Sequence, residues 1–276
     1  MDKCFNGLTT VNVELTSRCN KSCWMCGRRK IEKDHPGLYG EYTDMDFNLI
    51  QKITKQLPSG IVVQLHNNGE SLLYPRLKAA LGFFNRQIRC LDTNGKLVVE
   101  KADEIIGNLE TITISVFESD QEGDSQYKLI QEFLKIKGSR KPNVIIRCLG
   151  EVKLERYKKL NCIIAARILH SPMGSFKYKK TPTVPEIGIC LDFLSHMAIR
   201  YDGKVSICVR FDPKGLGIID DALNTPLIDI WMSAKRKEWL NYHIEGRRDK
   251  IPLCSLCEFW GVPTGYHYAA KEEQRT

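Results

Sequence analysis

Between residues 10 and 170 the chain alternates short apolar runs of strand length with longer amphipathic ones. The strand candidates are TVNVEL (10–15), IVVQLH (61–66), IRCLDT (88–93), TITISVF (111–117), NVIIRCL (143–149) and AARILH (165–170). Between them lie DMDFNLIQKITKQL, YPRLKAALGFFNRQ, KLVVEKADEIIGNL, SQYKLIQEFLKIKG and LERYKKLNCI. In the first of these Met45, Phe47, Leu49, Ile50, Ile53 and Leu57 share one face at helical spacing. Strands joined through helices rather than tight turns must run parallel, with the helices as crossovers. The prediction is an α/β fold, a partial (β/α)6 TIM-like barrel over residues 8–170, because six units are too few for the eight-stranded closed form.

The stretch 171–189, SPMGSFKYKKTPTVPEIGI, is rich in Pro, Gly, Ser and Thr and reads as a linker. Residues 190–265 then form a smaller unit, a β-hairpin plus helix. HMAIRYDGKVSICVRF carries the Asp-Gly turn of a hairpin. NTPLIDIWMSAKRKEWLNYH offers Thr225 as N-cap and Pro226 as first helical residue.

Hydrophobic residues make up 42% and charged residues 27%, as in an ordinary globular protein. The first residues lack the apolar core of a signal peptide, and NCIIAA, among the longest apolar runs, is far short of a membrane span. The expectation is a cytoplasmic protein without membrane attachment. The net charge of +8 reads first as a solvated basic surface and second as attraction for an anionic substrate. No block of five like charges suggests a nucleic-acid arm, so nucleic acid is not an expected partner.

Eleven cysteines in a reducing compartment point to metal or cluster binding before disulfides. Three of them, Cys19, Cys23 and Cys26, lie in LTSRCNKSCWMCGRRK directly after the first strand. Such a loop can supply three thiolates to three irons of a cubane and leave the fourth iron open. An open position is what separates a reactive metal site from a closed structural one. A zinc site completed by a distant ligand is the alternative on spacing alone.

CNKSCWMC after VNVELT resembles the radical S-adenosylmethionine (SAM) enzymes. The resemblance implies that Cys19, Cys23 and Cys26 hold a [4Fe-4S] cluster whose fourth iron is chelated by the amino and carboxylate groups of SAM. Reductive cleavage of SAM would then yield methionine and a 5′-deoxyadenosyl radical that abstracts hydrogen from carbon. Met25 stands where the family usually has an aromatic residue beside the adenine. QLHNNGESLLYP resembles the family's Gly-Gly-Glu-Pro segment, with Gly69 and Glu70 retained and Asn68 and Ser71 as departures; Glu70 would meet the SAM ammonium. DTNG (92–95) matches a recurring Thr-Asn-Gly and brings in Asn94. Ser115 at the end of strand four would contact the SAM ribose or carboxylate, and Arg147 on strand five its carboxylate. The resemblance covers residues 8–170.

A second set, Cys190, Cys208, Cys254 and Cys257, has the Cys-x2-Cys pair and four thiolates of a closed site. Spacing alone admits zinc or a second [4Fe-4S] cluster. After a radical SAM barrel this segment resembles the twitch domain, a shortened SPASM extension with one auxiliary [4Fe-4S] cluster. Size and cysteine layout are most similar to the dehydrogenases of aminocyclitol antibiotic biosynthesis. That resemblance implies hydrogen abstraction from a secondary alcohol, deprotonation, and loss of an electron to the auxiliary cluster. A flavodoxin or ferredoxin would supply the first electron. Arg167 and His170, at the end of the sixth predicted strand, are candidates for the hydroxyl proton, and His66 and Asn68 are further candidates near the substrate; GRRK (27–30) reads first as solvated charge and second as a contact for an anionic substrate group. A peptide-modifying radical SAM maturase is the second reading. It is disfavoured here because no recognition domain precedes Cys19. A non-catalytic zinc-binding module is the remote third.

Overall fold

The computed structural model describes residues 4–34, 36–38, 41–167, 189–209 and 212–257. His170, residues 171–188 of the linker and residues 258–265 lie outside them. The strands are β1 (Thr10–Val13), β2 (Val62–Gln64), β3 (Ile88–Thr93), β4 (Thr111–Phe117), β5 (Asn143–Leu149), β6 (Ile163–Arg167), β7 (His196–Ile199), β8 (Lys204–Ser206) and β9 (Ile218–Asp221). The α-helices are α1 (Gly27–Asp34), α2 (Phe47–Gln56), α3 (Leu77–Phe83), α4 (Ala102–Ile105), α5 (Gly123–Lys137), α6 (Glu155–Lys158), α7 (Leu191–Ser195), α8 (Leu227–Trp231), α9 (Ala234–Ile244) and α10 (Pro252–Ser255).

All strands join one sheet in the order β6-β5-β4-β3-β2-β1-β7-β8-β9. Neighbours from β6 through β1 to β7 are parallel, and β8 and β9 are antiparallel additions. The sheet is not closed: its two edges are β6 and β9. This is the partial barrel expected from the sequence, with β6 beginning two residues earlier than its apolar run suggests.

Alternation along the strands shows which face is which. On β4, Ile112, Ile114 and Val116 are buried, while Thr111 and Ser115 are half-buried. On β5, Val144, Ile146 and Cys148 are buried, while Ile145, Arg147 and Leu149 are not. Successive side chains point to opposite faces. One face packs under α2, α3 and α5, whose Ile50, Leu81 and Phe133 are fully buried. The other face carries polar side chains, with Asn12 buried and Gln64, Asp92 and Arg147 half-buried.

The C-terminal part differs from the sequence expectation in two ways. The hairpin β7–β8 is not a separate unit: β7 lies beside β1 in register Thr10↔His196 to Val13↔Ile199. Met197, Ile199 and Val205 belong to the main core with Val11 and Val13, so this pairing seals an edge that β1 would otherwise expose. The single expected helix is two. Pro226 caps α8 rather than starting it, and Ser233 starts α9 by accepting a hydrogen bond from the Arg236 N–H at 3.2 Å. A second, small core forms from Phe193, Ile207, Trp239, Ile251, Leu253 and Cys254, with Cys190 and Cys208 against it.

Among the described residues no helix is long and apolar enough to cross a membrane.

Candidate active site

The loops at the C-terminal ends of β1 to β4 meet at one mouth, the end where parallel barrels place their chemistry. The loop after β1 carries Cys19, Cys23 and Cys26. It is clasped from several sides. Gly69, after β2, packs against the backbone of Thr16, and the Glu70 N–H donates to the Arg18 carbonyl at 2.7 Å. Asn94, after β3, donates from Nδ2 to Asn20 Oδ1 at 2.8 Å and lies 3.9 Å from Cys19 Sγ. After β4, the Glu118 carbonyl accepts from Trp24 Nε1 at 3.0 Å. Asp120 takes the buried Lys21 ammonium at 2.6 Å, and Lys21 also lies 4.8 Å above the Phe117 ring.

Lys21 and Asp120 are both almost without solvent, so removing one partner strands the other charge. Lys21→Met is expected to destabilise the chain by roughly 3 kcal/mol in urea denaturation, with part recovered in the Lys21→Met/Asp120→Asn double variant. Equal stability of Lys21→Met and wild type would contradict the clasp.

GRRK, considered from sequence as an anion site or a solvated face, is neither as far as its two arginines go. Arg28 is buried, donates to the Asn68 carbonyl at 2.9 Å and stacks 4.0 Å over the Tyr42 ring. Arg29 donates to the carbonyls of Cys19 and Lys21 at 3.2 and 3.1 Å. Both tie down the cysteine loop through its backbone or that of Asn68.

Glu70 is 2% exposed. Its Oε1 accepts from Thr93 Oγ1 at 2.8 Å and from the Leu72 N–H at 3.1 Å, and its Oε2 from the Asn94 N–H at 2.7 Å. Burial pushes this carboxyl above its ordinary range against those three donors. In the structure Glu70 therefore locks the loop after β2 to the end of β3, which sets Asn94 against the cysteine loop. Glu14 acts similarly on the other side. It is buried, raised by burial, and accepts from the Asn68 and Tyr201 N–H groups at 3.0 and 3.4 Å.

On the inner face below this mouth, three strands contribute one polar cluster. Asp92 on β3 is paired to Arg147 on β5, and its Oδ2 is 3.3 Å from Nε2 of His66, which follows β2. His66 Nδ1 accepts the Asp92 N–H at 3.2 Å, which leaves Nε2 as the protonated nitrogen facing the carboxylate. Burial alone would raise Asp92, but His66 and Arg147 outweigh it and hold the carboxyl low. Burial pushes His66 down, so it is neutral near pH 7.

The sign of the pH effect follows. As pH falls below about 6.5 the unfolded chain takes up a proton at His66 that the folded chain does not, so stability falls, by at most ~1.4 kcal/mol per pH unit for this one group. Urea denaturation from pH 7.5 to 5 is expected to show a shallower slope for His66→Gln than for wild type. Identical slopes would contradict the buried neutral assignment.

Ser115 and Arg147 are register partners on β4 and β5, but Arg147 is committed to Asp92. Met25 is half-buried within the cysteine loop. Arg167 ends β6 opposite Leu149, with its carbonyl accepting from the Gly150 N–H at 2.8 Å. Asp92, Lys21, Glu14 and Asn20 were not singled out from sequence. For Asp92 a signal existed: it shares strand parity with Cys90 and Asn94, but DTNG reads as a turn.

The donor sets fit iron–sulfur binding. Burial, and then the neighbouring Cys26 and Cys19 thiols, outweigh Lys21 and push Cys23 up to about 12. A cluster would have to displace those protons, as thiolate ligation does. In the small core, burial and the adjacent Cys190 and Cys257 thiols push Cys254 up to about 12, and Cys208 packs against the same core. Among the described residues no three Cys, His, Asp or Glu side chains converge on a single ion. Thiolates that each take a different iron of a cubane have no need to converge.

Residues 190–258 match the SPASM family, described as an iron-sulfur cluster-binding domain. The S-adenosyl-L-methionine-dependent 2-deoxy-scyllo-inosamine dehydrogenase of Niallia circulans is 25% identical over 280 residues, covering 97% of this chain and 98% of the relative. The crystal structure of BtrN in complex with AdoMet and 2-DOIA superposes with a TM-score of 0.63 at 19% identity, covering 97% and 99% of the two chains. Streptococcus suis SuiB bound to precursor peptide SuiA has a TM-score of 0.60 at 14% identity, covering 92% of this chain and 71% of SuiB. The three-cysteine loop thus stands at the mouth of an open parallel sheet with the second cysteine set beside it, and over nearly its whole length the chain is similar to an S-adenosyl-L-methionine-dependent aminocyclitol dehydrogenase, its residues 190–258 matching an iron–sulfur cluster-binding domain.

Proposed function

We propose that this chain dehydrogenates a secondary alcohol of a small polyhydroxylated molecule, of the aminocyclitol or sugar class. The observation that carries the reading is the pairing of two thiol sets with different character. Three cysteines stand on one loop at the barrel mouth; of the other four, Cys254 lies in a small apolar core attached to the same sheet, Cys190 and Cys208 pack against that core, and Cys257 neighbours Cys254. Bound at those two sets, SAM and its cluster would supply hydrogen abstraction from carbon, and the auxiliary cluster would take up the electron that remains.

The chain's own residues supply position and shielding. Cys19, Cys23 and Cys26 would hold the first cluster, with the Asn94 amide turned toward Cys19. Gly69 permits the close approach of the loop after β2, and Glu70 keeps that loop joined to β3. Met25 and Ser115 are the residues we assign to the adenine and ribose sides of SAM. The paired Arg147 and Asp92 form a polar floor suited to hydroxyl and amino groups. Arg167 and His170 remain the candidates for holding the hydroxyl proton. Cys190, Cys208, Cys254 and Cys257 would hold the auxiliary cluster. We place the enzyme in the cytoplasm, with a flavodoxin or ferredoxin as external electron donor.

Anaerobic incubation of the reconstituted chain with SAM, dithionite and a panel of aminocyclitols, sugars and polyols tests this. The expected result is 5′-deoxyadenosine and a ketone in equal amounts with at least one of them. The second reading, peptide modification, is favoured by the likeness to SuiB in complex with SuiA. It would replace the first if no polyol were oxidised and a peptide were.

A further inference from the structure

His243 is fully buried on α9. Its ring stacks on Phe193 with centroids 4.7 Å apart and planes at 29°, and its Nε2 lies 3.6 Å from Cys254 Sγ. Phe193 and Cys254 both belong to the small core, so packing fixes the ring plane and the sulfur together. With a free thiol, either partner could supply the proton of this contact. A thiolate bound to iron has none to give. Once Cys254 is a ligand, the contact is a hydrogen bond only if the proton sits on His243 Nε2.

We propose that His243 is a positioning residue of the second centre, donating an N–H···S hydrogen bond to Cys254 that raises the reduction potential of the auxiliary cluster. The inference rests on reading the four cysteines as an iron–sulfur site. A donor aimed at a ligand sulfur favours the reduced cluster, which carries one more negative charge than the oxidised one. Arg248 adds positive charge at the same place, donating from Nη1 to the Cys257 carbonyl at 3.3 Å. For an enzyme whose auxiliary cluster must accept an electron from an oxidised substrate, a raised potential is the useful direction.

The full-length chain carrying Cys19→Ala, Cys23→Ala and Cys26→Ala together isolates the second centre for potentiometry followed by EPR. In that background His243→Phe keeps a ring that can stack on Phe193 but has no N–H, and His243→Gln keeps a donor. The expected result is that His243→Phe lowers the equilibrium constant for electron uptake about tenfold, ~59 mV for one electron, and His243→Gln by less. An unchanged potential in His243→Phe at normal iron content would overturn the hydrogen bond. Should the variants fail to hold iron, pulsed EPR of the background protein labelled with [15N]histidine decides: a nitrogen coupling to the reduced cluster supports the proposal, and its absence overturns it. Zinc instead of iron at this site, seen by metal analysis before any potential is read, would overturn the iron–sulfur reading itself.

Discussion

Gly69→Ala is expected to yield a chain that cannot hold its cysteine loop. A methyl group at this position would lie 2.8 Å from the Thr16 carbonyl carbon and 2.9 Å from the Arg18 carbonyl oxygen, and closer still to the Thr16 oxygen. All three are backbone atoms, so no side chain can rotate away. Relief requires the loop after β2 to part from the exit of β1. That parting breaks the hydrogen bond from the Glu70 N–H to Arg18 and unseats a carboxylate with three donors of its own. The cost is on the order of 3 kcal/mol or more. Iron content after anaerobic reconstitution should fall by the share of the first cluster, and 5′-deoxyadenosine formation should fall with it. A Gly69→Ala chain with wild-type iron and wild-type SAM cleavage would refute the close packing.

The second large effect separates the two cysteine sets. Alanine at Cys19, Cys23 or Cys26 would remove one of the three protein ligands proposed for the first cluster, and SAM cleavage is expected to drop by roughly a thousandfold or more. Alanine at Cys254 and Cys257 together should leave 5′-deoxyadenosine formation in place and stop the oxidised product. The contrast arises because the first set sits on the loop at the mouth, while the second sits in a core built from α7, α9, α10 and the residues after β8. Both activities are read in one assay, by chromatography of 5′-deoxyadenosine and of the ketone. Ketone formed at the wild-type rate in the double variant would make the second set structural. Retained SAM cleavage in a first-set variant would remove the assignment of the loop.

Much of this fold could be read in the sequence because its helices and strands have different periods. The apolar runs at 88–93, 111–117 and 143–149 coincide with β3, β4 and β5, where one face must be apolar to meet the helices. The cysteine spacings could also be read, since residues on one loop are local in sequence. What could not be read is what pairing across the sheet decides. Nothing in HMAI announces that it lies parallel to β1, because a short apolar strand carries no label for its neighbour. The same limit hid the His66–Asp92–Arg147 cluster, whose members come from or follow three strands and are 55 residues apart at Asp92 and Arg147. A basic run such as GRRK reads as solvated charge until carbonyls are found opposite Arg28 and Arg29. His243 has no local motif at all; only the packing of α9 against α7 and α10 brings it to Phe193 and Cys254.

The most direct measurement is metal analysis joined to turnover. The purified chain is reconstituted anaerobically with iron and sulfide, its iron, sulfide and zinc are counted, and dithionite and SAM are added with a polyol panel. Two cubanes require about eight irons per chain, with 5′-deoxyadenosine and a ketone formed together. About four irons and one zinc, with SAM cleavage but no oxidised product, would contradict dehydrogenation through an auxiliary cluster.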